Sequence, residues 1–137
     1  MPVNRLISSG KRMSFRAAFD TASRLSIHYA CNLTSLTTAV RASHGVLIFT
    51  DGEPERDQVS LMNLARLFEK PLLCVDIADA SNEALSLRIL DWRLRNDIRG
   101  LFVDGPEAVE SEERLPAILT DALSKRAADV VRSDSPP

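Results

Sequence analysis

The chain has 137 residues, which is enough for one domain that buries a full core without disulfide or metal cross-links. Its hydrophobic content of 45% and charged content of 26% are typical of soluble globular proteins, and its net charge of -2 provides no basic surface for nucleic acid or an anionic membrane. We therefore expect a cytoplasmic protein that has neither nucleic acid nor a membrane among its partners.

Short apolar segments alternate with amphipathic segments along the chain. Buried strands are predicted at 3–8 (VNRLIS), 44–51 (HGVLIFTD), 71–77 (PLLCVDI) and 98–106 (IRGLFVDGP). Helices are predicted at 13–26, 34–43, 58–70, 81–97 and 111–127, the last with an acidic first turn. This order predicts an α/β fold: a single-domain Rossmann-like three-layer α/β/α sandwich with a mostly parallel sheet of at least four strands. The domain would span residues 1–127, and residues 128–137 would form a frayed C-terminal tail.

The apolar centres of these strands predict the core. The expected core residues are Leu6, Ile7, Val46, Leu47, Ile48, Leu72, Leu73, Val75, Leu101 and Val103. On the helices, Phe19, Leu87 and Trp92 provide more apolar surface than one sheet face covers. We therefore expect a homodimer that forms through a helical face.

Parallel sheets bind ligands at the carboxyl ends of their strands, so the loops there are the candidate site. After the first strand, the helix amides that follow Gly10 would hold an anion, and Lys11, Arg12 and Arg16 would add positive charge. In the alternative, Gly10 makes only the strand-to-helix turn and the basic residues are solvated. The Rossmann G-x-G-x-x-G and Walker motifs are both absent. The candidate ligand-binding residues are Ser8, Ser9, Gly10, Lys11, Arg12, Arg16, Thr50, Asp51, Gly105 and Pro106.

Other residues with reactive or metal-binding side chains form no recognisable set. The loop TDGEPERD lacks the spacing of a calcium loop, so its acidic residues are expected to be solvated. Cys31, Cys74, His28 and His44 have no ligand-spaced neighbours, which predicts no metal site. Because no nucleophile and base occur in a known pattern, we identify no catalytic residue and no cofactor.

Four motifs in chain order resemble those of a known family. They are SSGKRMSFRAAFD (8–20), AVRASHGVLIF (39–49), the Lys70–Pro71 pair and LFVDGPEAV (101–109). Together they resemble the putative molybdenum carrier proteins, a branch of the Rossmann-like SLOG superfamily that includes nucleotide-binding and nucleotide-processing members. The resemblance extends to about Leu123 and implies the same fold, with a ligand at the carboxyl ends of the strands.

The departures from the family pattern fall on its polar site. Ser9 and Met13 stand where the family has glycines, Phe15 where it has an acid, and Glu107 where it has an arginine. A non-glycine residue cannot adopt a positive φ cheaply, so these changes would alter the loop as well as its chemistry. The segment before the second motif is also shortened. The chain therefore resembles a shortened member of the family with a degenerate site.

Two functions remain open from the sequence. The first is a small binding protein for a nucleotide or another phosphorylated small molecule. The second is a non-catalytic protein-interaction domain, a homodimer that has lost the ligand site of the family. An enzyme like the phosphoribohydrolases of the superfamily is disfavoured, because their PGGxGTxxE signature is absent.

Overall fold

A computed structural model describes residues 2–31, 35–107 and 113–125. Within these ranges, strands and helices alternate along the chain: β1 (Arg5–Ser8), α1 (Arg12–Leu25), β2 (His28–Cys31), α2 (Leu36–Ala42), β3 (Gly45–Thr50), α3 (Arg56–Leu67), β4 (Leu72–Asp76), α4 (Asn82–Arg95), β5 (Gly100–Asp104) and α5 (Arg114–Ser124). No helix in the described part of the chain is long and apolar enough to cross a membrane.

The strands form one parallel sheet in the order β2-β1-β5-β3-β4. β5 lies at the centre, where Leu101 pairs with Leu6 of β1 on one side and Gly45 of β3 on the other. Each strand is followed by a helix before the next parallel strand, which is the connection that right-handed βαβ units require. The predicted Rossmann-like α/β fold is confirmed.

Two helical layers cover the sheet because side chains alternate along each strand. Leu6, Leu47 and Leu101 face α1, α4 and α5, whereas Ile7 and Ile48 face α2 and α3. Eight of the ten predicted core residues are buried, and Leu72 and Leu73 are only partly buried. These two lie on β4, which has one neighbouring strand in the described part of the chain.

The sequence predictions differ from the structure at three elements. β2 was not predicted, since His28–Cys31 is a short, partly exposed segment at the sheet edge. α3 begins at Arg56, two residues earlier than expected, because Glu55 and Gln58 form a capping box. α5 begins at Arg114 with no acidic residue in its first turn; residues 111–112 and the predicted frayed tail at 128–137 lie outside the described ranges.

Candidate functional site

A cleft lies where the predicted candidate site was expected, at the carboxyl edge of the sheet. Its lining residues are Lys11, Arg12, Glu55, Asp57 and Glu107, and its volume is about 480 Å³. They come from the β1–α1 loop, the start of α3 and the segment after β5. We call this the carboxyl-edge cleft. It is of the size of typical small-molecule sites, which occupy roughly 300–1,000 Å³.

Lys11 joins the three walls of the cleft through its ammonium group. Nζ lies 2.5 Å from Asp57 Oδ2, 3.0 Å from Glu55 Oε1 and 3.3 Å from Asp104 Oδ2. It also donates to the carbonyl oxygen of Gly105 at 3.1 Å. Burial alone would lower the pKa of Lys11, but hydrogen bonds to Asp57 and Glu55 and the charge of Asp104 outweigh it and raise that pKa. Lys11 is therefore held as a cation by carboxylates of its own chain.

The interpretations that left these charges solvated are wrong for Lys11 and Glu55 but not for Asp57, whose side chain is 54% exposed while it contacts Lys11. The side chain of Lys11 is only 20% exposed. Glu55 and Asp57 belong to the N-terminus of α3 and bind Lys11, and the backbone N–H of Glu107 donates to Glu55 Oε2 at 2.9 Å. The predicted acidic loop thus supplies counter-ions to the predicted basic loop.

Behind Lys11, a buried polar contact joins α1 to the end of β5. The Ser14 hydroxyl donates to Asp104 Oδ1 at 3.4 Å and accepts from the backbone N–H of Gly105 at 2.8 Å. Asp104 is 2% exposed. A Cβ added at Gly105 would lie 3.0 Å from Leu115 Cδ2 and 3.6 Å from Met13 Cβ. Close packing, rather than a positive φ, therefore explains the glycine at this position.

The Ser9 hydroxyl lacks a hydrogen-bond partner among the described residues, and Gly10 has open space beside it. The hydroxyl oxygen of Ser9 is buried and has no hydrogen-bond partner in the described structure. Gly10 has no positive φ, and a Cβ added there would meet nothing within 4 Å. Neither backbone geometry nor packing within the chain requires a glycine at position 10. The space beside it is free to admit a ligand close to the backbone.

Gly10 leads into the N-terminus of α1, which no side chain caps among the described residues. Lys11 occupies the N-cap position without a side-chain hydrogen bond, and the first turn contains no acidic residue. In contrast, Ser35 caps α2 and Ser81 caps α4. The first amides of a helix carry partial positive charge and lack intrahelical partners, so they favour an anion. The start of α1 retains this capacity.

Of the ten predicted site residues, Lys11 and Arg12 line the cleft, Ser9, Gly10 and Gly105 are close neighbours of Lys11, and the other five lie elsewhere. Ser8 Oγ is 2.8 Å from Tyr29 Oη, and an Arg16 guanidinium nitrogen is 3.8 Å from Asp20 Oδ2 one turn along α1. Thr50 donates to the carbonyl oxygen of Val75 at 3.5 Å. Of the remaining two, Asp51 is exposed after β3 and Pro106 is buried after β5.

Sequence reasoning missed Ser14 and Asp104 entirely and missed the role of Glu55 and Asp57. A signal existed for Asp104, since it is the charged residue that ends a strand whose preceding residues 101–103 are apolar. A signal also existed for Glu55, because Gln58 follows three residues later as in a capping box. Among the described residues, no group of three or more His, Cys, Asp or Glu is arranged to hold a metal ion.

The five-stranded parallel sheet and its two helical layers define a Rossmann-like α/β domain, with a cleft at the carboxyl edge of the sheet. No family model and no curated protein matches the chain. A solved structure from Syntrophus aciditrophicus SB, described as a putative molybdenum carrier protein, is similar to it, with a TM-score of 0.74 and 25% sequence identity over 90% of this chain and 94% of that one. This match bears out the resemblance of the motifs to the putative molybdenum carrier proteins.

Proposed function

We propose that the protein binds a nucleotide or another phosphorylated small molecule in the carboxyl-edge cleft, with the phosphate over Gly10 and the N-terminus of α1. The observation that carries the proposal is the pair formed by the unpartnered Ser9 hydroxyl and the uncrowded Gly10. A buried hydroxyl without a partner costs about 1–3 kcal/mol, and a ligand oxygen beside Gly10 would recover it. The uncapped amides of α1 and the guanidinium of Arg12 would share the anionic charge.

The charges around the cleft limit how many phosphates the ligand carries. Two cations, Lys11 and Arg12, lie among the carboxylates of Glu55, Asp57, Glu107 and Asp104. A polyphosphate placed there would be repelled by the surplus negative charge. Carboxylates suit the hydroxyl groups of a ribose as hydrogen-bond acceptors. We therefore favour a nucleoside monophosphate over a triphosphate.

Thermal unfolding with AMP, ATP, NAD and inorganic phosphate tests the proposal. At about one hundred times its dissociation constant, a ligand stabilises the folded state by roughly 2.7 kcal/mol, which is a shift of several degrees in Tm for a domain of this size. We expect AMP to give a larger shift than ATP at equal concentration. If all four compounds at millimolar concentration leave the melting curve unchanged, the proposal fails.

The variant Ser9→Ala assigns a ligand-induced shift to this site. Removal of a buried, unpartnered hydroxyl should leave the unliganded Tm unchanged or raise it, while the AMP-induced shift becomes smaller. Ser23→Ala is the matched control, because it makes the same chemical change at an exposed position near the other end of α1. A full shift in Ser9→Ala would place the ligand elsewhere.

A protein-interaction domain is the second candidate. It is favoured by the three carboxylates around Lys11, which neutralise within the chain the cation nearest to Gly10. In this case no small molecule would shift the Tm, and the scaffold would serve contacts through its outer surface. The ligand panel above separates the two candidates.

A further inference from the structure

The ammonium group of Lys11 has more oxygen neighbours than it has hydrogens to donate. A lysine ammonium carries three N–H donors. Four oxygens lie within 3.3 Å of Nζ: Asp57 Oδ2 at 2.5 Å, Glu55 Oε1 at 3.0 Å, the carbonyl oxygen of Gly105 at 3.1 Å and Asp104 Oδ2 at 3.3 Å. At least one of them therefore receives no complete hydrogen bond of its own. One partner can leave without reducing the number of hydrogen bonds that Lys11 makes.

Three of the four oxygens are fixed by other contacts of the chain. Glu55 forms the capping box of α3, and its Oε2 accepts from the backbone N–H of Glu107 at 2.9 Å. Asp104 is buried and accepts from the Ser14 hydroxyl at 3.4 Å. The third oxygen is the backbone carbonyl of Gly105, directly after β5. These three cannot move away from Lys11 without breaking other interactions or stranding a buried charge.

Asp57 is the partner that solvent replaces at the least cost. Its side chain is 54% exposed, against 34% for Glu55 and 3% for Asp104. It lies in the first turn of α3 and takes no part in the capping box. An exposed ion pair contributes little, because water solvates the carboxylate when the pair separates. A competing anion would therefore displace Asp57 before it displaced either of the other carboxylates.

We propose that a phosphate monoester bound in the carboxyl-edge cleft displaces Asp57 from Lys11, and that Asp57 thereby sets how strongly the cleft holds its ligand. This inference rests on the proposed phosphate site beside Gly10 and deepens it. A phosphate monoester is the favoured class, because it carries about -1.5 to -2 charges at pH 7 and three acceptor oxygens. A carboxylate carries a single charge and competes less well for the same ammonium.

The exchange resolves the apparent conflict between the neutralised Lys11 and a phosphate site next to it. Lys11 lines the cleft and follows Gly10 in the chain, so a ligand there meets its ammonium group. Because Glu55 and Asp104 stay in contact, the buried Asp104 carboxylate keeps its cation while one N–H turns to the ligand. Lys11 thus serves the fold and the ligand together, and only Asp57 changes partners.

Calorimetric titration of AMP into the wild type and Asp57→Asn tests the exchange. We expect Asp57→Asn to bind AMP about fivefold more tightly, the fold-change that corresponds to an exposed ion pair. Asp121→Asn is the matched control: it also removes one charge from a half-exposed Asp–Lys contact, 3.1 Å from Lys125 on α5, and should bind AMP like the wild type. Adenosine, which lacks the phosphate, should not distinguish the wild type from Asp57→Asn.

Lys11→Met separates displacement from simple repulsion between Asp57 and the phosphate. This change keeps the length of the side chain and removes its charge. In the Lys11→Met background, Asp57→Asn should alter the affinity for AMP by less than about twofold at about 150 mM salt, because solvent and salt screen an exposed carboxylate. The four proteins form a double-mutant cycle that isolates the contribution of the pair. A thermal melt of each variant confirms that it is folded.

Nuclear magnetic resonance of the wild type supplies a readout that needs no variant in the binding step. The chain has three lysines, Lys11, Lys70 and Lys125, so three side-chain Cε signals are expected. AMP should shift the signal of Lys11, which is assigned by its loss in Lys11→Met, and leave those of Lys70 and Lys125 in place.

The outcomes separate this inference from the proposed function. AMP that binds the wild type and Asp57→Asn equally, or an equal gain in the Lys11→Met background, overturns the exchange and leaves the phosphate site standing. A Lys11 signal that does not move at saturating AMP has the same meaning. No binding of AMP to any of these proteins overturns the phosphate site and the exchange together.

Discussion

The carboxyl-edge cleft and an aromatic surface formed by Phe15, Phe19 and Tyr29 both include residues of the α1 region, and they differ in how many partners their side chains find within the chain. In the cleft, Lys11 is held by three carboxylates and Ser14 bridges to Asp104. At the aromatic surface, Phe15 and Phe19 contact Tyr29 but remain about two-fifths exposed. The polar groups find most of their partners inside the chain, whereas the apolar groups do not. This contrast leaves the Ser9 hydroxyl and the two exposed phenylalanine rings as groups that the described part of the chain does not fully satisfy.

Lys11→Ala removes the ion pairs at the centre of the cleft and has the largest expected effect on stability. Removal of the ammonium leaves the nearly buried Asp104 carboxylate with the Ser14 hydroxyl as its remaining described hydrogen-bond partner. We expect a loss of about 2 kcal/mol, between the values for buried and for surface ion pairs. Chemical denaturation measures it. Arg24→Ala, an exposed cation on the same helix, should change the free energy of unfolding by less than about 0.5 kcal/mol; equal effects of the two variants would contradict the account of Lys11.

Gly105→Ala tests the packing behind the cleft and should have an intermediate effect. The new methyl group would lie 3.0 Å from Leu115 Cδ2, so the leucine side chain must shift. We expect a loss of about 1 kcal/mol, at the low end for overpacking, because the clashing atom is at the end of a flexible side chain. Gly10→Ala is the control, since its methyl group meets nothing within 4 Å and should leave the unliganded Tm unchanged or slightly raised. An equal loss of stability in Gly10→Ala and Gly105→Ala would contradict the conclusion that position 105 is crowded and position 10 is not.

The pH dependence of stability gives the smallest effect and isolates the Lys11 charge. The carboxylates around Lys11 raise its pKa in the folded state above the ordinary value of 10.5, so the folded chain binds this proton more tightly. The resulting stabilisation is fully present below pH 10.5 and is lost as the pH rises through the folded-state pKa. Thermal melts of the wild type and Lys11→Ala from pH 8 upward should therefore converge at alkaline pH. A constant difference between the two would show that the charge of Lys11 does not contribute.

Much of the fold could be predicted from the sequence because the buried strands read as apolar runs. β3 and β5 are covered on both faces, so every residue in them is buried and the pattern is plain. β2 was missed for the opposite reason: an edge strand needs few apolar residues, and His28–Cys31 is exposed or half-buried throughout. The start of α3 was placed late because Glu55 is not among the common N-cap residue types.

The contacts of the cleft could not be predicted in the same way. Glu55 lies 44 residues and Asp104 93 residues along the chain from Lys11, and no local pattern specifies which charges meet at such separations. The resemblance to the family identified the loops that come together. It did not indicate that a basic residue beside Gly10 would be paired with acids from α3 and β5.

Calorimetric titration with AMP of the wild type and of Gly10→Ala tests the central claim most directly, namely that the backbone beside Gly10 receives a phosphate. The account predicts that the wild type binds AMP and that Gly10→Ala, at an unchanged Tm, binds it at least about tenfold more weakly, a difference of about 1.4 kcal/mol. Inorganic phosphate in competition should weaken the binding of AMP to the wild type. Equal affinity of the two proteins for AMP, or no heat of binding with the wild type at millimolar AMP, would contradict the claim that a phosphate binds beside Gly10.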